Sequence, residues 1–175
     1  MLRVIKPVGL VAILPLLGIA GTSAISRDTH ADSRCHRVHG TVNSVITTEN
    51  CTSPVGLCTT GTVTGGGPLD GATTFQALDV APSAGMAAVE AAANLSFSGQ
   101  LTITAKRGTL VTRDLGVLDA VNGFFTELER PSSGTGIFTN PSHDFFISGV
   151  LTDNGDGFSS TISGTLCTDG DIGDE

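Results

Sequence analysis

The strongest constraint on the fold is an alternation of apolar and polar side chains at every second residue, in short runs set off by turn residues. In LSFSGQLTITAK, Leu95, Phe97, Gly99, Leu101, Ile103 and Ala105 fall on one side of an extended chain. Ser96, Ser98, Gln100, Thr102, Thr104 and Lys106 fall on the other. A period of two is the repeat of a half-buried β-strand. FSSTISGTLC repeats it, with Phe158, Ser160, Ile162, Gly164 and Leu166 on the apolar side, and VHGTVNSVIT aligns Val38, Gly40, Val42, Ser44 and Ile46. LCTTGTVTG follows less strictly through Leu57, Gly61 and Val63. Further strands are expected near 73–78, 109–120, 123–129, 136–139 and 145–152.

Gly-, Pro- and Asn-rich segments at 65–71, 106–108, 121–123, 130–134 and 139–144 separate these runs at hairpin spacing. The Asn154–Gly155 pair reads as a tight hairpin turn between two alternating runs. Asp153 and Asp156 give that stretch the look of a calcium loop, but counting from Asp153 puts Gly155, Gly157 and Gly164 where an EF-hand needs oxygen ligands. One segment, SAGMAAVEAAA at 83–93, reads as a short helix capped by Ser83 or as a loop. The chain has 23 Gly and neither Trp nor Tyr, a composition that builds strands and turns.

Eight or nine short antiparallel strands must pack as two sheets or close on themselves. Closure is favoured by Gly40, Ser44, Gly61, Gly99, Gly149, Ser160 and Gly164, all on the face read as buried. In a flat sandwich so many small inward residues leave voids. In a small barrel they let strands coil and large side chains meet, and they leave room for a cavity. The expected fold is all-β, a single antiparallel barrel of about eight strands.

The N-terminus reads as a targeting segment. Arg3 and Lys6 precede an apolar run broken by Pro7 and Pro15, and Thr22–Ser23–Ala24 follows as a small-residue cleavage site. Residues 1–24 are therefore assigned to a signal peptide, 25–37 to an N-terminal arm, 38–168 to the barrel and 169–175 to an acidic tail. The implied localisation is secreted or periplasmic, with no membrane association after cleavage. Loss of Arg3 and Lys6 takes the formal charge from -8 to -10, and no Lys or Arg follows Arg130. Such a chain lacks the clustered cations that phosphate binding needs, so no nucleic-acid partner is expected.

Four cysteines, Cys35, Cys51, Cys58 and Cys167, read as disulfides in an exported chain. Three pairings are open. We favour Cys35–Cys167, which joins the ends of the first and last strands if they are neighbours, with Cys51–Cys58 closing CTSPVGLC; the chief rival joins Cys58 to Cys167.

The stretch GTGIF at 134–138, followed by a loop and then FFISGVL, resembles a segment of the dirigent proteins and plant allene oxide cyclases, and the layout from Leu57 to Cys167 is similar to that of exported bacterial proteins sharing this pattern. The resemblance implies an eight-stranded barrel with a central pocket and, for the catalytic members, cyclisation in an apolar cavity. It transfers no functional residue.

Candidate pocket residues come from the alternation instead. Arg113 and Asp119 share a face with Val111, Leu115 and Val117, and Glu127 shares one with Phe125 and Glu129. Arg113, Asp119 and Glu127 are therefore expected to point inward as ligand-binding residues, because ionisable groups in an apolar cavity orient a polar ligand or act as acid and base. His36 and His39 match no metal-ligand spacing, His143 beside Asp144 reads as an exposed turn residue, and no G-x-S-x-G elbow or phosphate loop is present. Asn50 and Asn94 head glycosylation sequons. The expectation is a non-catalytic binding or structural module with a small hydrophobic ligand, without metal or cofactor. The alternative is a cyclase or isomerase acting in the cavity.

Overall fold

A computed structural model describes residues 34–83 and 93–170. The segments expected to be a signal peptide and most of the arm, residues 84–92 of the helix-or-loop segment, and the tail from 171 lie outside the described residues.

The alternating runs form β1 (Arg34–Thr47), β2 (Cys58–Thr64), β3 (Gly71–Pro82), β4 (Asn94–Ala105), β5 (Gly108–Asp119), β6 (Phe124–Gly134), β7 (Phe145–Leu151) and β8 (Gly157–Thr168). Each strand pairs antiparallel with its neighbours in sequence, and β8 returns to β1, giving a closed eight-stranded barrel. Closure leaves no sheet edge to template aggregation. The seam runs from Arg34 opposite Thr168 to Val45 opposite Gly157. Cys35 and Cys167 face each other in it and are bonded; Cys51 and Cys58 form the second disulfide.

The barrel core holds Val38, Val42, Val63, Leu101, Ile103, Leu110, Phe145, Ile147, Ile162 and Leu166. The small inward residues serve as expected. A Cβ on Gly61 would lie 2.2 Å from the Asn43 carbonyl oxygen, so β1 and β2 coil together as closely as they do only because that atom is missing. Gly99 and Gly116 have a second use, since a Cβ on either would strike the Phe75 ring at 2.4 Å or the Phe97 ring at 2.3 Å. Each ring lies flat over a glycine of the neighbouring strand.

One end of the barrel is plugged. Leu69, in the 3-10 turn Gly67–Leu69 between β2 and β3, and Phe138, in the 3-10 turn Gly136–Phe138 between β6 and β7, are both fully buried. The second turn corrects the strand expected at 136–139. Gly136 has φ +61°, which turns the chain across the barrel end and carries Phe138 into the core.

The acidic hairpin also differs from the tight pair expected at Asn154–Gly155. Only Gly155 is left-handed, at φ +68°, and the loop spans Asp153 to Asp156, closed by the Thr152 amide donating to the Gly157 carbonyl at 2.9 Å. The Thr152 hydroxyl donates to Asp156 Oδ1 at 2.7 Å, so one of the loop's carboxylates serves the turn itself.

Candidate functional site

The end opposite the plug holds a cavity of about 160 Å³. Two edge-to-face aromatic pairs wall it: Phe75 with Phe97, ring centroids 6.5 Å apart, and Phe125 with Phe158, 5.3 Å apart. Leu95 and Leu118 line it further out, and Glu127 is its one ionisable residue among the described residues. A groove of about 420 Å³ lies on the outside of β2 to β4, but Thr60, Thr74, Gln76, Gln100 and Thr102 line it and it offers ligands little to bury against. The interior cavity is the better candidate, since small-molecule sites are mostly apolar with a few placed polar groups.

Beyond Glu127 the barrel interior is acidic. In the β5–β6 register Glu127 stands opposite Gly116, and Glu129 opposite Asp114. Glu129 is completely buried and Asp114 nearly so. Neither Asp114 oxygen completes a hydrogen bond, and Glu129 Oε1 has no partner. Glu129 Oε2 is hydrogen-bonded to the Thr112 hydroxyl, which also reaches the Leu101 carbonyl at 3.4 Å. Thr112 has one proton to share between them; when Glu129 is protonated it donates to Thr112 and frees that proton for Leu101.

Burial governs the acidity of all three groups. It pushes Asp114 up to about 7, offset in part by the Asp114 and Gly99 backbone amides and by Arg113. It pushes Glu129 up to about 8, with the Thr112 hydrogen bond opposing and the charge of Asp114 adding. Glu127 is raised well above the usual carboxyl range by burial, then by the neighbouring charges of Glu129 and Asp114. A carboxyl held neutral near pH 7 donates a hydrogen bond or a proton, which an exposed carboxylate cannot do.

Of the three residues expected inside, Glu127 is there and the other two are not. Arg113 is exposed on the outer face of β5, and Asp119 ends that strand at the surface. The Asp119 carboxylate accepts from Asn122 Nδ2 at 2.7 Å and from the Val121 and Asn122 amides, which holds its pKa below the usual value and closes the β5–β6 turn. The inward face of β5 is instead Leu110, Thr112, Asp114 and Gly116. The misreading has a physical cause: β5 is apolar on both faces, because Leu115 and Val117 are 65% and 48% exposed on the outside. This two-sided apolarity hides Asp114, whereas Glu129 lies on the inward face with Glu127, as the alternation in β6 implies.

The histidines lie elsewhere. His36 has its Nε2 buried without a partner on β1 beyond Val38, and His143, at φ +67°, sits beside the Cys35–Cys167 disulfide. Those three side chains have metal-compatible spacing, but the two sulfurs are spent in a bond to each other and offer no thiolate.

No family model, curated protein or solved structure matches the chain.

Proposed function

We propose that this protein is an exported binding module that holds a small hydrophobic molecule in the open end of its barrel. The observation that carries the reading is the aromatic cavity of about 160 Å³ with a single carboxyl, Glu127, on its wall among the described residues. A buried cavity of ~150 Å³ accepts a benzene-sized molecule, so the ligand has one ring or an equivalent short chain. Two disulfides fit an oxidising compartment, and the N-terminal targeting pattern supports export. Native mass spectrometry of protein purified from its own host tests the reading: a retained small molecule supports it. Failure of any single-ring hydrophobe to bind the purified chain at millimolar concentration overturns it.

A second reading, the cyclase or isomerase that the dirigent and allene oxide cyclase likeness implies, is favoured by a specific observation: carboxyls with raised pKa values beside an apolar cavity. A neutral Glu127 is placed to protonate a bound olefin or epoxide oxygen. Styrene oxide, a single-ring epoxide of the cavity's size, tests it. Ring opening faster with the chain than with Glu127→Gln supports catalysis, and equal rates leave the binding module alone.

A further inference from the structure

We propose that the ligand is a lipophilic amine, an apolar body of about one ring carrying a single ammonium group that pairs with the ionised carboxylate of Glu127. The proposal rests on the cavity being a ligand site and names what that site selects.

Three carboxyl groups, Asp114 from β5 and Glu127 and Glu129 from β6, occupy one region of an otherwise apolar interior. Among the described residues nothing basic lines the cavity that Glu127 borders, and Arg113, which draws down the pKa of Asp114, is on the outer face of β5. From the other strands the cavity receives Val42 and Ser44 of β1, Ile147 of β7 and Phe158 of β8, none of which titrates, and β2, β3 and β4 likewise present only neutral side chains. Buried carboxylates without partners are costly, and outside the cavity lining Asp114 and Glu129 keep oxygens that complete no hydrogen bond. Within the cavity itself, Glu127 finds no cation among the described residues to pair with.

Which cation follows from the walls. A metal ion needs several converging oxygens, but among the described residues the three carboxyl groups do not bring their oxygens within 4.8 Å of one another. The remaining wall is aromatic and aliphatic. An organic ammonium meets both conditions, since its head pairs with Glu127 while its body replaces water against Phe75, Phe97, Phe125 and Phe158, whose ring faces attract cations. The binding step balances without redox chemistry: an ammonium from solution and a protonated Glu127 give the ion pair and one proton released to solvent.

Benzylamine and its neutral counterpart benzyl alcohol test this in isothermal titration calorimetry on the oxidised chain. The expected result is at least tenfold tighter binding of benzylamine at pH 7.5, with release of about one proton per amine bound, read from buffers of different ionisation enthalpy. Its affinity falls on acidification toward pH 5 while that of benzyl alcohol does not. Glu127→Gln brings the two affinities within about threefold of each other. Equal or tighter binding of the alcohol, or amine binding without proton release, overturns the amine proposal and leaves the binding module standing. If neither molecule binds, both fall. Proton release is read on the unsubstituted protein, so the test holds even if Glu127→Gln does not fold.

Discussion

At the scale of single residues, Asp114 and Glu129 couple stability to pH in the reverse of the usual direction. Their folded pKa values, about 7 and about 8, lie above the unfolded values of 3.8 and 4.5. Between those limits the unfolded chain binds fewer protons than the folded one, so stability is full below about pH 4 and is lost as pH rises through 7 to 8. At about 1.4 kcal/mol per pKa unit, Asp114 alone moves ~4 kcal/mol. The melting temperature is expected to rise as pH is lowered from 8 to 5, and Asp114→Asn to flatten that slope while raising stability at pH 8. A melting temperature that falls steadily with acidification contradicts this account. Gly116 supports a second prediction. A Cβ there strikes the Phe97 ring, and the ring's free direction is into the cavity, so Gly116→Ala costs ~1–3 kcal/mol as overpacking. It should also abolish binding of benzyl alcohol in calorimetry, whereas Ala at exposed Thr60 changes neither property.

At the scale of elements, the seam between β1 and β8 differs from every other strand pair. The other pairs join neighbours in sequence, while this one closes a separation of 132 residues that the Cys35–Cys167 bond spans. Loop-closure entropy makes such a bond worth ~5 kcal/mol, against ~2.4 kcal/mol for the 7-residue separation of Cys51–Cys58. Chemical denaturation of Cys35→Ser/Cys167→Ser and Cys51→Ser/Cys58→Ser should therefore show about a twofold difference in lost stability; equal losses contradict it. The strand faces follow a similar logic. β4 is legible alone, because only one of its faces is apolar. β5 is not, but the turn at Lys106 and Arg107 pairs Ala105 with Gly108 and so sets Ile103 opposite Leu110, Leu101 opposite Thr112 and Gly99 opposite Asp114. Opposed residues share a face, so carrying the frame of β4 across that turn puts Asp114 inside and Arg113 outside. The signal was in the sequence, in the hairpin rather than in the strand.

At the scale of the whole molecule, the described residues plug one end of the barrel and leave a cavity at the other, and this asymmetry sets where the candidate site lies. Phe138 fills the plugged end completely, so Phe138→Ala should cost ~3–5 kcal/mol and open a second cavity without disturbing Glu127. A ligand at 100 times its Kd adds ~2.7 kcal/mol to the folded state, a rise of several degrees in melting temperature that thermal denaturation with saturating benzyl alcohol would detect.

The sequence by itself determined most of the strands and favoured their closure, because these are written locally in a period of two, in turn residues and in small residues on an apolar face. The cysteine pairing it left open among three arrangements, and the register of β1 with β8 decided it. The sequence also placed Glu127 inside. What only the tertiary structure decided was the company that Glu127 keeps. GTGIF became a plug rather than a strand because one left-handed glycine turned it across the barrel end. Asp114 and Glu129 met because the β5–β6 register set them opposite each other, and the closed wall kept water from both. Acidity inside a barrel depends on neighbours from other strands and on excluded solvent, and neither is a property of any one stretch of chain.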